Sequence, residues 1–113
     1  LPLGGFSLEV SLSFGSTSIH SHALLDFDAS TCFIDKSFVY AHNIPAVHIS
    51  QPISVEEING RVLSSGPVIE ATISLALQVG AHHEVLTFYL IATPQHPIVL
   101  GLSWLETHNP TAD

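Results

Sequence analysis

Residues 6–14, Phe-Ser-Leu-Glu-Val-Ser-Leu-Ser-Phe, alternate apolar and polar side chains without a break. Phe6, Leu8, Val10, Leu12 and Phe14 fall on one side of an extended chain, and Ser7, Glu9, Ser11 and Ser13 on the other. A helix cannot gather a period of two onto one face, so this stretch is a strand with one side in a core and one in water. Its backbone donors and acceptors need partners on both edges, which commits the chain to a sheet.

The following sequence supplies those partners. Gly15-Ser16 makes a turn, and Thr17 to Asp26 runs back as a second strand. Asp26 to Ser30 is short and polar, a loop, and Thr31 to Ile34 is another short strand. Asp35 has the character of a helix N-cap, followed by Lys-Ser-Phe-Val-Tyr-Ala-His and a stop at Asn43 that Pro45 reinforces. Ile53 to Ile58 and Arg61 to Leu63 flank Asn59-Gly60, the strongest short hairpin signal, because a type I′ turn needs positive φ at both central residues. Ser64-Ser65-Gly66-Pro67 makes a further bend. Ile69 to Val79, with Ile73, Leu75, Leu77 and Val79 alternating, and Glu84 to Ala92 form a second hairpin around Gly80-Ala81-His82-His83. Pro97 to Gly101 is a short, wholly apolar strand leading into Leu102 to His108, a last short helix. The sum is a mostly all-β fold, a small closed barrel or sandwich with one or two short helices, filling a single domain over 1–113.

Hydrophobic residues make up 46% of the chain and charged residues 11%, which suits a packed globule and not a disordered segment. The formal net charge is −8, and Lys36 and Arg61 are the only Lys or Arg residues. Nucleic acid and anionic membrane surfaces are recognised by clustered cations, so neither is an expected partner. No apolar run reaches the ~18 residues of a membrane span, and no signal peptide opens the chain. The lone cysteine, Cys32, forms no internal disulfide and suits a reducing compartment; an intracellular, cytoplasmic setting is expected. The chain reads as a domain cut from something longer.

Two segments carry the chemistry. The first is Ala23-Leu24-Leu25-Asp26-Phe27-Asp28-Ala29-Ser30-Thr31-Cys32-Phe33-Ile34-Asp35, and the second is Ile98-Val99-Leu100-Gly101-Leu102-Ser103-Trp104-Leu105. Together they resemble the signature segments of retropepsins, in particular those of Ty3/gypsy retrotransposons and of the domesticated Gag-Pol-like genes derived from them. The first family segment reads apolar-apolar-Asp-Ser/Thr-Gly-Ala-Ser, then a spacer and Phe-Ile. The second reads apolar-apolar-Gly and then a helix. The hairpin at Ile58, Asn59, Gly60 and Arg61 lies where the family carries its flap. The resemblance spans roughly residues 6–110 and implies a retropepsin-like fold excised from a Gag-Pol-like protein.

It also implies a mechanism. Two subunits pair, each contributing one Asp. Two carboxylates about 3 Å apart cannot both ionise, so they share a proton; one activates water and the other polarises the scissile carbonyl. Peptide or polyprotein is the implied substrate, a homodimer the implied assembly, and no cofactor is implied. Asp26 takes the catalytic position, supported by Ala29 and Ser30. The departures follow it directly. Phe27 stands where the family has Ser or Thr, removing an inter-loop hydroxyl. Asp28 stands where the family has Gly, adding a charge near the dyad, where unpaired desolvated charge is costly. A second register makes Asp28 catalytic but loses the match of Leu24-Leu25 and Phe33-Ile34. The triplet Asp26-Phe27-Asp28 is thus degenerate. The expectation is a domain impaired or inactive in peptide-bond hydrolysis; the alternatives are an active homodimeric endopeptidase and a non-catalytic dimerisation or protein-interaction module.

The eight histidines raise the question of a metal. His20 and His22 share one face of a strand, and His82-His83-Glu84 sit at a turn. Neither pair is matched by a second pair at the spacing of a closed zinc site, so no metal is expected. Their protonation below about pH 6.5 lowers the net negative charge, and mild acid should favour any dimer. Cys32 reads as a buried small hydrophobe, and Trp104 and Leu105 as packing residues.

Overall fold

The computed structural model describes residues 5–26, 31–53 and 66–101. Strands β1 (Gly5–Phe14) and β2 (Thr17–Asp26) pair antiparallel from Phe14↔Thr17 to Gly5↔Asp26. Gly15 at the connection has φ 55°, a conformation that glycine adopts without steric cost. Val10 and Leu12 are buried and Leu8 and Phe14 half-buried, as the alternation requires. Phe6 departs from it, being 60% exposed. Alternation sets which face is apolar but not where the core ends. On its outer side, β1 pairs with β6 (Leu75–Val79) only at Ser11–Ser13, well short of Phe6.

Past the loop come β3 (Phe33–Asp35) and helix α1 (Lys36–Ala41). Asp35 caps the helix as its sequence suggested: Phe38 N–H donates to Asp35 Oδ2 at 3.2 Å. His42 closes the helix, and Asn43 follows at φ 54°. The third strand therefore begins at Phe33 and runs to Asp35, not from Thr31 to Ile34.

Strand β4 (Ala46–Ile53) was not foreseen before Ile53. It lacks clean alternation and contains Pro52. Both are tolerated because β4 is an edge strand of the described sheet, paired only with β5 (Val68–Thr72) and with a register shift between His48 and Ile53. The expected hairpin Ile69–Val79/Glu84–Ala92 is four strands. β5 ends at Thr72, and Ile73 lies outside any strand and is exposed. β6 and β7 (His82–Leu86) form a tight hairpin on Gly80-Ala81 alone. β8 (Tyr89–Ile91) leaves it to pair with β3 and β5. Thr72 makes the break possible. Its N–H donates to the Phe88 carbonyl at 2.8 Å, while its buried hydroxyl accepts the Phe88 N–H at 3.0 Å.

Strand β9 (Ile98–Leu100) is wholly buried, as its apolar run predicts. The nine described strands make one curled, half-barrel sheet in the order β4-β5-β8-β3-β9-β2-β1-β6-β7, matching the expected all-β, retropepsin-like architecture. Its main core gathers Val10, Leu12, Ala23, Leu25, Ile34, Leu90, Ile98 and Leu100 beneath Val39 of α1. A second, smaller cluster of Phe33, Val68, Ile91 and Val99 lies on the other face of the central strands, with Ile49, Ile53 and Tyr89 packed against it. Residues 54–65, which carry the expected Asn59-Gly60 hairpin, and the expected helix from Leu102, with Trp104 and Leu105, lie outside the described residues. Among the described residues, no helix is long and apolar enough to cross a membrane.

Candidate functional site

The site is built by threading one strand between two others. β2 and β3 are consecutive in sequence, yet β9 lies between them, parallel to β2 and antiparallel to β3. The registers are Ala23↔Ile98, Leu24↔Val99 and Leu25↔Leu100 on one side, and Phe33↔Val99 and Ile34↔Ile98 on the other. Both signature segments therefore meet, although they are far apart in sequence. One step further along the β2–β9 register, Asp26 stands level with Gly101.

Strand alternation then fixes where Asp26 points. Ala23 and Leu25 enter the main core. Leu24 and Asp26 take the opposite face, the one that Val99 and Phe33 share through their registered pairing. Asp26 is 4% exposed, so this carboxyl is withdrawn from bulk water at the margin of an apolar surface.

Gly101 is required sterically. A Cβ there would run into the Thr31 carbonyl oxygen and come within 2.7 Å of the Thr31 carbonyl carbon and amide nitrogen. Real Cβ atoms do not sit so close to backbone, so the glycine lets β9 press against the chain that leaves the catalytic loop. The Gly101 backbone also hydrogen-bonds the Cys32 thiol, while burial, the larger effect, pushes that thiol's pKa up. Cys32 is thus a protonated packing group, as expected from its apolar context.

A second carboxyl was read only as a cap and does more. Asp35, 7% exposed, accepts the Thr93 N–H on Oδ1 at 2.8 Å as well as the Phe38 N–H on Oδ2, and its own N–H donates to the Pro97 carbonyl at 2.8 Å. It ties α1, β3 and the segment leading into β9 together. The cap was legible in sequence; a partner at Thr93 carries no local signal.

Of the sequence-predicted site residues, Asp26, Ile98, Val99, Leu100 and Gly101 are brought together. Phe27, Asp28, Ala29 and Ser30, and the flap residues Ile58, Asn59, Gly60 and Arg61, lie outside the described residues. Among the described residues no three His, Cys, Asp or Glu side chains form a group ready to hold a metal. On the far side of the sheet the exposed Tyr40 hydroxyl donates to Glu70 Oε1 at 3.0 Å, and this bond raises its pKa.

Known proteins bear on this geometry in two ways. The sequence model of the PEG10/RTL1 protease domain matches residues 22–113. In three dimensions the chain is similar to the crystal structure of the retroviral protease-like domain of Ddi1 from Leishmania major. The TM-score is 0.52 at 13% sequence identity, over 90% of this chain and 77% of that one. At that identity the likeness speaks for the fold.

Proposed function

This chain belongs to the PEG10/RTL1 protease domain family, and on that premise we propose that its catalytic triplet Asp26-Phe27-Asp28 has lost most or all of its power to hydrolyse peptide bonds. It is a retropepsin-like, aspartic protease-like domain of domesticated-retrotransposon type. The observation that carries the proposal is the setting of Asp26. The carboxyl is buried at the end of β2, beside an apolar cluster and level with Gly101. A nucleophilic water there needs a second carboxyl to share a proton, and the working partner is Asp26 of a second copy. Phe27 brings bulk and no hydroxyl to that junction, and Asp28 brings two further carboxylates to a dimer axis. Each added charge is costly to desolvate without a partner. The domain then persists as a dimerisation or protein-interaction module within a longer Gag-Pol-like protein of Ty3/gypsy descent. Its buried free thiol suits the reducing cytoplasm.

The retained Asp26 and the close Gly101–Thr31 packing favour a second reading, an active homodimeric endopeptidase that works in mild acid. A peptide-cleavage assay on the wild type and Asp26→Ala at pH 5 and pH 7, run beside sedimentation at both, separates the two. The proposal expects no cleavage above the Asp26→Ala background at either pH. A dimer whose cleavage vanishes in Asp26→Ala establishes the second reading instead.

A further inference from the structure

We propose that His20 and His22 form a two-imidazole chelate for a transition-metal ion of the Ni2+, Cu2+ or Zn2+ class on the outer face of β1 and β2. The two residues are separated by one position on β2, and both side chains are exposed on the same face. A strand rise of about 3.3 Å per residue sets their Cα atoms about 6.6 Å apart, and two imidazoles at that spacing can rotate to meet one ion. Imidazole is a preferred donor for these metals.

The strand register adds what sequence spacing could not. Ser11 is the cross-strand partner of His20, and its hydroxyl lies 3.0 Å from His20 Nδ1. With Nδ1–H donating to Ser11, Nε2 keeps its lone pair facing outward, as second-shell partners do for metal-binding histidines. Glu9 is the cross-strand partner of His22 and brings a carboxylate to the same surface. Glu9, His20 and His22 line one depression of about 280 Å³. The strands β1, β2, β6 and β7 carry no Lys or Arg to repel a cation. No three donors converge there, so the chelate holds its ion through two protein nitrogens and leaves the remaining positions to water. The site makes no use of Asp26 and stands independently of the protease reading.

Titration of the chain with Ni2+ at pH 7.5, followed by calorimetry and amide NMR, tests the site. The expected result is line broadening centred on residues 9–11 and 20–22. His20→Gln and His22→Gln should each weaken binding about tenfold or more. Both side chains are exposed, so the variants should keep the wild-type fold by circular dichroism. His48→Gln, on β4, should bind as the wild type does. Binding should also disappear as pH falls through the imidazole range, near ~6.5, because the ligands must be neutral. Unchanged affinity in both variants, or broadening spread evenly over all the histidines, overturns the proposal.

Discussion

Asp26 and Asp35 flank the same loop and are buried to nearly the same degree, yet they are different kinds of residue. Asp35 has both oxygens committed to backbone N–H groups, one in the helix that follows it and one at Thr93, far along the chain. It is a structural anchor, because removing it strands buried donors. Asp26 stands where β2 meets β9, with its side chain on the face of the smaller apolar cluster rather than in the main core. Burial alone does not tell an anchor from a catalytic-type carboxyl; the groups around it do. Sites shaped for chemistry tend to contribute little to stability, or to oppose it.

That contrast can be broken or sharpened by mutation. The largest effect is expected at Gly101, where the anchor and the catalytic strand share their packing. Gly101→Ala forces a methyl into the Thr31 backbone and should destabilise the fold by about 3 kcal/mol or more, read by urea denaturation. Asp35→Ala removes a helix cap and the Thr93 bond together and should cost about 2 kcal/mol, with Asp35→Asn intermediate because its amide keeps one acceptor oxygen. Asp26→Asn should change stability by less than about 1 kcal/mol; a loss as large as that of Asp35→Ala would erase the distinction between the two carboxyls.

Cys32 extends the comparison to pH. Its folded pKa is raised by burial, so its contribution to stability is fully present below the ordinary thiol value and is lost as pH climbs through the raised one. At pH 8 a thiol reagent should therefore label Cys32 slowly in the folded chain and rapidly in denaturant. Rapid labelling of the folded chain would mean that the packing behind Gly101 opens readily.

The sequence made the one-sided regions legible and the two-sided ones only partly so. The β1–β2 hairpin, its turn at Gly15-Ser16 and the Asp35 cap all follow from local pattern: period two, a turn dipeptide, a side chain that can reach a nearby N–H. β9 was visible as a short apolar run, but its place between β2 and β3 depends on long-range pairing that no local pattern encodes. The break of β5 from β6 at Ile73 was missed because apolar periodicity continues through it, while the buried Thr72–Phe88 bonds that end the strand bring together residues distant in sequence. β4 was hidden by Pro52, which an edge strand accommodates and a central one does not. At the site, the approach of Asp26 to Gly101 followed from a resemblance between motifs, whereas the contact of Gly101 with Thr31 needed the fold.

The central claim, that Phe27 and Asp28 are what disable an otherwise sound aspartic protease site, is tested most directly by repairing the triplet. Phe27→Thr with Asp28→Gly restores the hydroxyl and the small residue, and cleavage of a peptide library can be compared among the wild type, this double variant and the same variant carrying Asp26→Ala. The account predicts cleavage by the double variant alone, abolished when Asp26 is removed. Cleavage by the wild type above the level of Asp26→Ala, or a double variant that dimerises and still cleaves nothing, would contradict it.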